Sequence, residues 1–211
     1  MQRLIHTLFI NLILLVATAA FASPAPVVVS SEIVLNFPES ATFRATLTSE
    51  VEITAIVLEY GNEQQTCGEV VAKAFPQFTP GQQVGAEWTW EMRQSGSLPP
   101  GAQLWWRWRV TDADGQETVS ETYTATWLDD QHDWQTMNHD DSPSVRLHWY
   151  EGDQTFITDL AKAAYNGLVF NEQQSGLKAD APIDIYIYAD TNDLKEAILY
   201  EPSWTGGQAF P

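Results

Sequence analysis

The side chains best suited to chemistry in this chain are few and scattered. Its histidines are His6, His132, His139 and His148. The last three stand near Asp129, Asp130, Asp133, Asp140 and Asp141, and both residue types can ligate metals. Their spacings match no common ligand arrangement, and no two stand four apart, the interval that puts two side chains on one helical face. A polar loop is the expected role for this stretch. Asp112, Asp114 and Glu117 look like a fragment of a calcium loop, which needs several oxygens converging on one turn. The full loop pattern is missing, and Asp114-Gly115 between two alternating strands reads as a hairpin tip, because glycine tolerates positive φ. Cys67 is the only cysteine, falls in an expected strand and has no histidine partner by local motif. It also rules out an intramolecular disulfide. No catalytic residue and no metal ligand is therefore assigned, and no cofactor is expected to be bound by this chain.

The tryptophans offer a different chemistry, since a flat aromatic face can stack on the apolar face of a sugar. Alternation decides which of them could do so. Trp88, Trp90 and Met92 share one side of a strand, and Leu104, Trp106, Trp108 and Val110 share one side of another. These are expected to point into a core. Trp105, Arg107 and Arg109 point the other way, leaving Trp105 as the candidate for ligand stacking.

The elements that would position these residues fall into two parts. From Glu32 to Trp127 the pattern is period-two alternation broken by turn residues. Strands are expected at Glu32–Phe37, Thr42–Thr48, Val51–Tyr60, Cys67–Phe75, Gln83–Met92, Ala102–Thr111 and Gln116–Trp127. Val51 and Ile53 are out of phase with Ile56, Leu58 and Tyr60, which predicts a bulge near Ala55. This count and spacing suggest an immunoglobulin-like or fibronectin type III-like sandwich over residues 25–128. A polar, acidic linker is expected at 129–144. Beyond it Phe156, Ile157, Leu160, Ala164, Leu168 and Val169 recur at helical spacing, with Gly152-Asp153 as a start signal and Gly176 as a stop. Pro182 opens a strand in which Ile183, Ile185 and Ile187 alternate with Asp184, Tyr186 and Tyr188. A short helix carrying Leu194, Ala197 and Ile198 follows, ended by Pro202. One helix, one strand and one short helix cannot bury a two-sided core, so residues 145–211 are expected to be the truncated start of an α+β domain.

Composition narrows the function classes. The chain has 211 residues and a formal net charge of −18. Nucleic acid is excluded as a partner, because phosphate binding needs clustered cations. Arg3, the apolar run Leu8 to Ala20 and Ala20-Phe21-Ala22 read as a signal peptide over residues 1–22, with a run short of the ~18–20 residues a membrane span needs. An exported protein, extracellular or in the cell envelope, is expected.

The order of these features resembles a family. A signal peptide, a sandwich with tryptophan strands, Val110-Thr111-Asp112 before Gly115, His148-Trp149-Tyr150 leading into a helix, and Trp204-Thr205-Gly206-Gly207-Gln208-Ala209 together are similar to peptidase MA-like proteins of the gluzincin group. The resemblance implies a zinc-dependent peptidase, a hydrolase of peptide or protein substrates. In that group two helix histidines of an H-E-x-x-H motif and a later glutamate hold zinc. This sequence contains no such motif, so the resemblance implies zinc for the full-length protein and no metal ligand here. It also implies that Gly206, Gly207 and Ala209 lie in a segment whose backbone meets a substrate strand. The reading that competes with this one is a secreted sandwich that binds a glycan or a surface protein.

Overall fold

A computed structural model describes residues 24–63, 71–95, 98–139, 142–179, 181–199 and 205–209. The expected signal segment, Cys67, Pro202 and Trp204 lie outside the described residues. The fold is mostly β. Its strands are β1 (Val27–Asn36), β2 (Ser40–Asn62), β3 (Ala72–Ala74), β4 (Gly81–Glu91), β5 (Gln103–Asp112), β6 (Glu117–Val119), β7 (Tyr123–Thr126), β8 (Gln135–His139), β9 (Ser142–Trp149) and β10 (Ile183–Ile187). The helices are the single turn α1 (Met92–Ser95), the long α2 (Gln154–Ser175) and the short α3 (Thr191–Ala197).

The two strands expected at Thr42–Thr48 and Val51–Tyr60 are one continuous strand, β2, which passes from one layer of the sandwich to the other. Its first half lies between β1 and β4, and its second half between β3 and β5. The pairing register with β5 slips between Ile53 and Ala55, where the change of hydrophobic phase placed a bulge. The expected last strand is split into β6 and β7, which pair successive parts of the far edge of β5. Alternation along β5 holds throughout: Leu104, Trp106, Trp108 and Val110 are buried, and Trp105, Arg107 and Arg109 are not.

The sandwich core joins Phe43 and Leu47 of one layer to Leu58, Trp106 and Trp108 of the other. Phe43 and Trp106 meet with ring centroids 5.5 Å apart. Burying two tryptophans so deeply requires acceptors for their N–H groups. Ser31 of β1 provides them, its Oγ accepting from Trp106 Nε1 and from Trp108 Nε1, both at 2.9 Å.

The remaining elements form a three-stranded sheet in the order β10-β9-β8, in which β8 and β9 are antiparallel and β9 and β10 parallel. Parallel neighbours need a crossover, and α2 supplies it. Asp153 caps α2, accepting from the Thr155 N–H at 2.6 Å, and Gly176 closes it with φ 72°. The stretch read as a polar linker therefore contains β8 and the start of β9. β8 itself carries one apolar residue, Met137, too little to register as alternation. Val145, Leu147 and Trp149 of β9 do alternate, and they form the buried face on which Ile157 and Ala161 of α2 pack. Phe156, expected in the apolar stripe of α2, is 60 % exposed instead. α3 ends at Ala197, before the proline expected to stop it.

The opposite sheet face meets the end of the sandwich. Ala197 of α3 joins the sandwich core, with Tyr188 and Leu199 packed against it. Trp134 stands edge-on to Tyr150, Tyr186 and Tyr188, with centroids 5.0, 5.2 and 5.1 Å away. Gly101, in the turn before β5, has φ +86°, and a Cβ built on it would lie 2.5 Å from the Tyr186 hydroxyl. Gly101→Ala is thus expected to cost about 1–2 kcal/mol in backbone strain, plus the clash. Adding Tyr186→Phe should recover the steric part, which a double-mutant cycle of denaturant midpoints would read.

Candidate functional site

Polar side chains converge at one place on the second sheet, its face away from α2. Thr136 of β8 and His148 of β9 are directly paired, as are Arg146 of β9 and Asp184 of β10. Thr136 Oγ1 is 2.9 Å from His148 Nδ1, and His148 Nε2 is 2.7 Å from Asp184 Oδ1. A hydroxyl, an imidazole and a carboxylate in a row have the connectivity of a nucleophilic relay. Here the carboxylate is already engaged: Arg146 grips Asp184 through Nε at 2.7 Å and through a terminal nitrogen at 2.5 Å. Burial alone would raise the Asp184 pKa, but the hydrogen bonds from Arg146 and His148 more than offset it and hold it below the usual carboxylate range. The row ties three strands together.

His132, the second candidate, is stacked on Tyr150 with centroids 3.9 Å apart, and its Nε2 is 3.9 Å from Asp129 Oδ2. Asp129 is buried and accepts from Tyr188 at 3.0 Å. Tyr150 donates to Asp193 and accepts from the Ala189 N–H at 2.8 Å. Burial and the neighbouring acids push Tyr150 and Tyr186 up to about 12 and Tyr188 higher still. These phenols stay protonated, and Tyr150 and Tyr188 serve as donors. The sequence signalled none of this joint, since its residues come from β8, β9, β10 and the segments flanking them.

The acids around the expected hairpin tip are taken up by partners within the chain. Asp112 turns its Oδ1 onto the N–H groups of Asp114 and Gln116 at 3.0 and 2.9 Å, capping its own hairpin. Glu117 is paired with Arg109. Among the described residues no three His, Cys, Asp or Glu side chains are placed to hold one ion. The acid nearest His148 carries a guanidinium where a dication would have to sit. The residues present do not fit the zinc that the family resemblance implies. The side chain of His139 lies outside the described residues.

Trp105 is half-buried on the outer face of β5. Gly206, Gly207 and Ala209 are exposed, and they follow Thr205, which is 7 % exposed with an Oγ1 that has no hydrogen-bond partner among the described residues. Sequence reasoning missed Glu59, which is 2 % exposed in the middle of β2's outer face. Arg107 Nε, Arg109 Nε and Lys73 Nζ reach it at 2.6, 3.3 and 3.4 Å. Burial would raise the Glu59 pKa, and the two arginines more than offset this, leaving it lowered. A carboxylate with a depressed folded pKa stabilises the fold above its unfolded value and loses that contribution as pH falls through the folded one. With Glu59 and Asp184 both lowered, the melting temperature should be flat down to about pH 5 and fall below about pH 4. Glu59→Gln should flatten that acid limb in thermal denaturation.

Fold and site together define a mostly β protein with a β-sandwich joined to a small α+β unit, and no assembled catalytic centre among the described residues. Residues 163–211, from the middle of α2 onward, match the Peptidase MA superfamily. The chain is peptidase MA-like and peptidase-related. No curated protein matches it in sequence. Among solved structures it is similar to wild-type OgpA from Akkermansia muciniphila, with a TM-score of 0.38 at 10 % identity, over 50 % of this chain and 29 % of OgpA. The same figures hold for catalytically inactive OgpA in complex with an O-glycopeptide substrate, glycodrosocin. BhCBM56 is similar with a TM-score of 0.28 at 10 % identity, over 46 % of this chain and 97 % of its own. The match thus spans under a third of the length of OgpA.

Proposed function

We propose that this chain supplies the non-catalytic leading part of an exported, zinc-dependent peptidase acting on peptide or protein substrates. The observation that carries the reading is the superfamily match, which falls on the α2, β10 and α3 unit rather than on the sandwich. The exposed apolar side chains of that unit support it. Phe156 and Phe170 are 60 % and 61 % exposed on α2, and Ile183 is 39 % exposed on β10. Such surface is what further strands and a metal-bearing helix would cover. Export rests on the leader-like residues 1–22. The fibronectin type III-like sandwich acts as a spacer or docking module, fixed to the unit by the Trp134 joint. Gly206, Gly207 and Ala209 are proposed to run along the substrate, anchored by the buried Thr205.

The coding sequence past Pro211 tests this directly. An in-frame H-E-x-x-H segment is expected, and a stop codon at that point would sink the reading. For export, the N-terminus of the mature protein should begin at Ser23.

A further inference from the structure

The chain carries 10 Lys and Arg against 28 Asp and Glu, yet three of its cations are gathered on one sheet face. Lys73 of β3 pairs in register with Glu59 of β2, and Glu59 pairs with Arg107 of β5. Arg109 stands two residues further along β5. Glu59 is buried beneath them, so the surface presents the cations and hides their counter-charge. Glu117 answers only Arg109. Arg107 uses Nε for Glu59, and its side chain stays 36 % exposed.

Beside this group lies Trp105, directly paired with Gly61. A Cβ on Gly61 would sit 3.1 Å from Trp105 Nε1 and 3.3 Å from Cε2 and Cζ2. A side chain at Gly61 would push the indole aside, so the bare backbone there lets the half-buried ring rest close over the neighbouring strand. Two residues of strand separate Trp105 from Arg107, about 7 Å. That places the guanidinium within reach of a substituent on a sugar ring stacked over the indole.

We propose that this outer face of β3, β2 and β5 is a docking site for a carboxylated polysaccharide. Trp105 stacks on a sugar ring, the Arg107 fork grips a uronate carboxylate, and Lys73 and Arg109 add charge. Charge complementarity selects the occupant. The chain as a whole is acidic, so a polyanion is favoured where cations gather, and a planar guanidinium matches a carboxylate through two parallel hydrogen bonds. Glu59 is the positioning residue, since it orients both guanidinium groups. The site stands apart from the peptidase reading and survives its failure.

The test is affinity electrophoresis of the whole chain through polygalacturonate, through the same polymer fully methyl-esterified, and through dextran sulfate. Retention by polygalacturonate alone is expected, weakening as salt rises. Trp105→Ala, Arg107→Gln and Gly61→Ala should each weaken it about tenfold, and Lys73→Gln less. Arg44→Gln, on the other layer and paired with Glu87, should leave it unchanged. Thermal melts of Lys73→Gln and Gly61→Ala keep the comparison valid should Arg107→Gln unfold. The proposal is overturned by no retention on polygalacturonate. Equal retention on the esterified polymer, preference for dextran sulfate, or folded Trp105 and Lys73 variants that bind like the parent would overturn it too.

Discussion

Trp134→Ala should cost the α+β unit about 3 kcal/mol and leave the sandwich standing. The indole fills the space between Tyr150, Tyr186 and Tyr188, and its Nε1 donates to the Asp129 carbonyl at 2.9 Å. Its removal opens a cavity that Tyr150 and Tyr188, fixed by hydrogen bonds to Asp193 and Asp129, cannot easily close. The second sheet has a small core of its own: Val145, Leu147 and Trp149 against Ile157 and Ala161. A unit with so little private burial depends on the surface it leans against. Amide exchange would show β9, β10 and α2 losing protection while β2 and β5 keep theirs. Equal loss in both parts would mean that the chain unfolds as a single cooperative block.

Ser31→Ala should have an effect of similar size in the sandwich. Removing one hydroxyl orphans two indole N–H groups in the core, and each buried donor left without a partner costs about 1–3 kcal/mol. Ser31 itself is half-buried on edge strand β1, which lets water reach part of the gap and puts the expected total at about 2–4 kcal/mol. Trp108→Phe alone is destabilising through lost volume. In the Ser31→Ala background it should cost less, because one orphan disappears with it. A denaturant-midpoint cycle measures the difference, and strict additivity would show that the two hydrogen bonds do not couple.

Much of the sandwich was legible in the sequence because its strands are long, alternating and aromatic. The inward set on β5, the outward position of Trp105 and the bulge before Ala55 followed from period two alone. What could not be read was that one strand serves both layers, since Ser49-Glu50 reads as a turn in sequence yet is strand in β2. The second unit was legible where its elements have private signals. Asp153 and Gly176 bound α2, and the isoleucines mark β10. β8 was hidden because its face is polar and its partner distant. Phe156 was placed in the core because periodicity gives a face but not which edge of it meets the sheet.

The candidate site was legible to a smaller degree. The structure gives His132 and His148 different partners, one stacked on Tyr150 and one tied to Asp184. Neither those partners nor the buried Glu59 has a local signature, because cross-strand contacts join residues tens of positions apart. Glu59 sits where period two expects an outward residue, and its burial comes from the arginines laid over it.

Under the proposed function these residues are scaffold for a zinc-dependent peptidase and carry none of its chemistry. Zinc content of the purified 211-residue chain after dialysis, measured by mass spectrometry alongside hydrolysis of a quenched peptide library, tests this most directly. Substoichiometric zinc and no cleavage are expected. One zinc retained per chain with turnover that a chelator abolishes would contradict it.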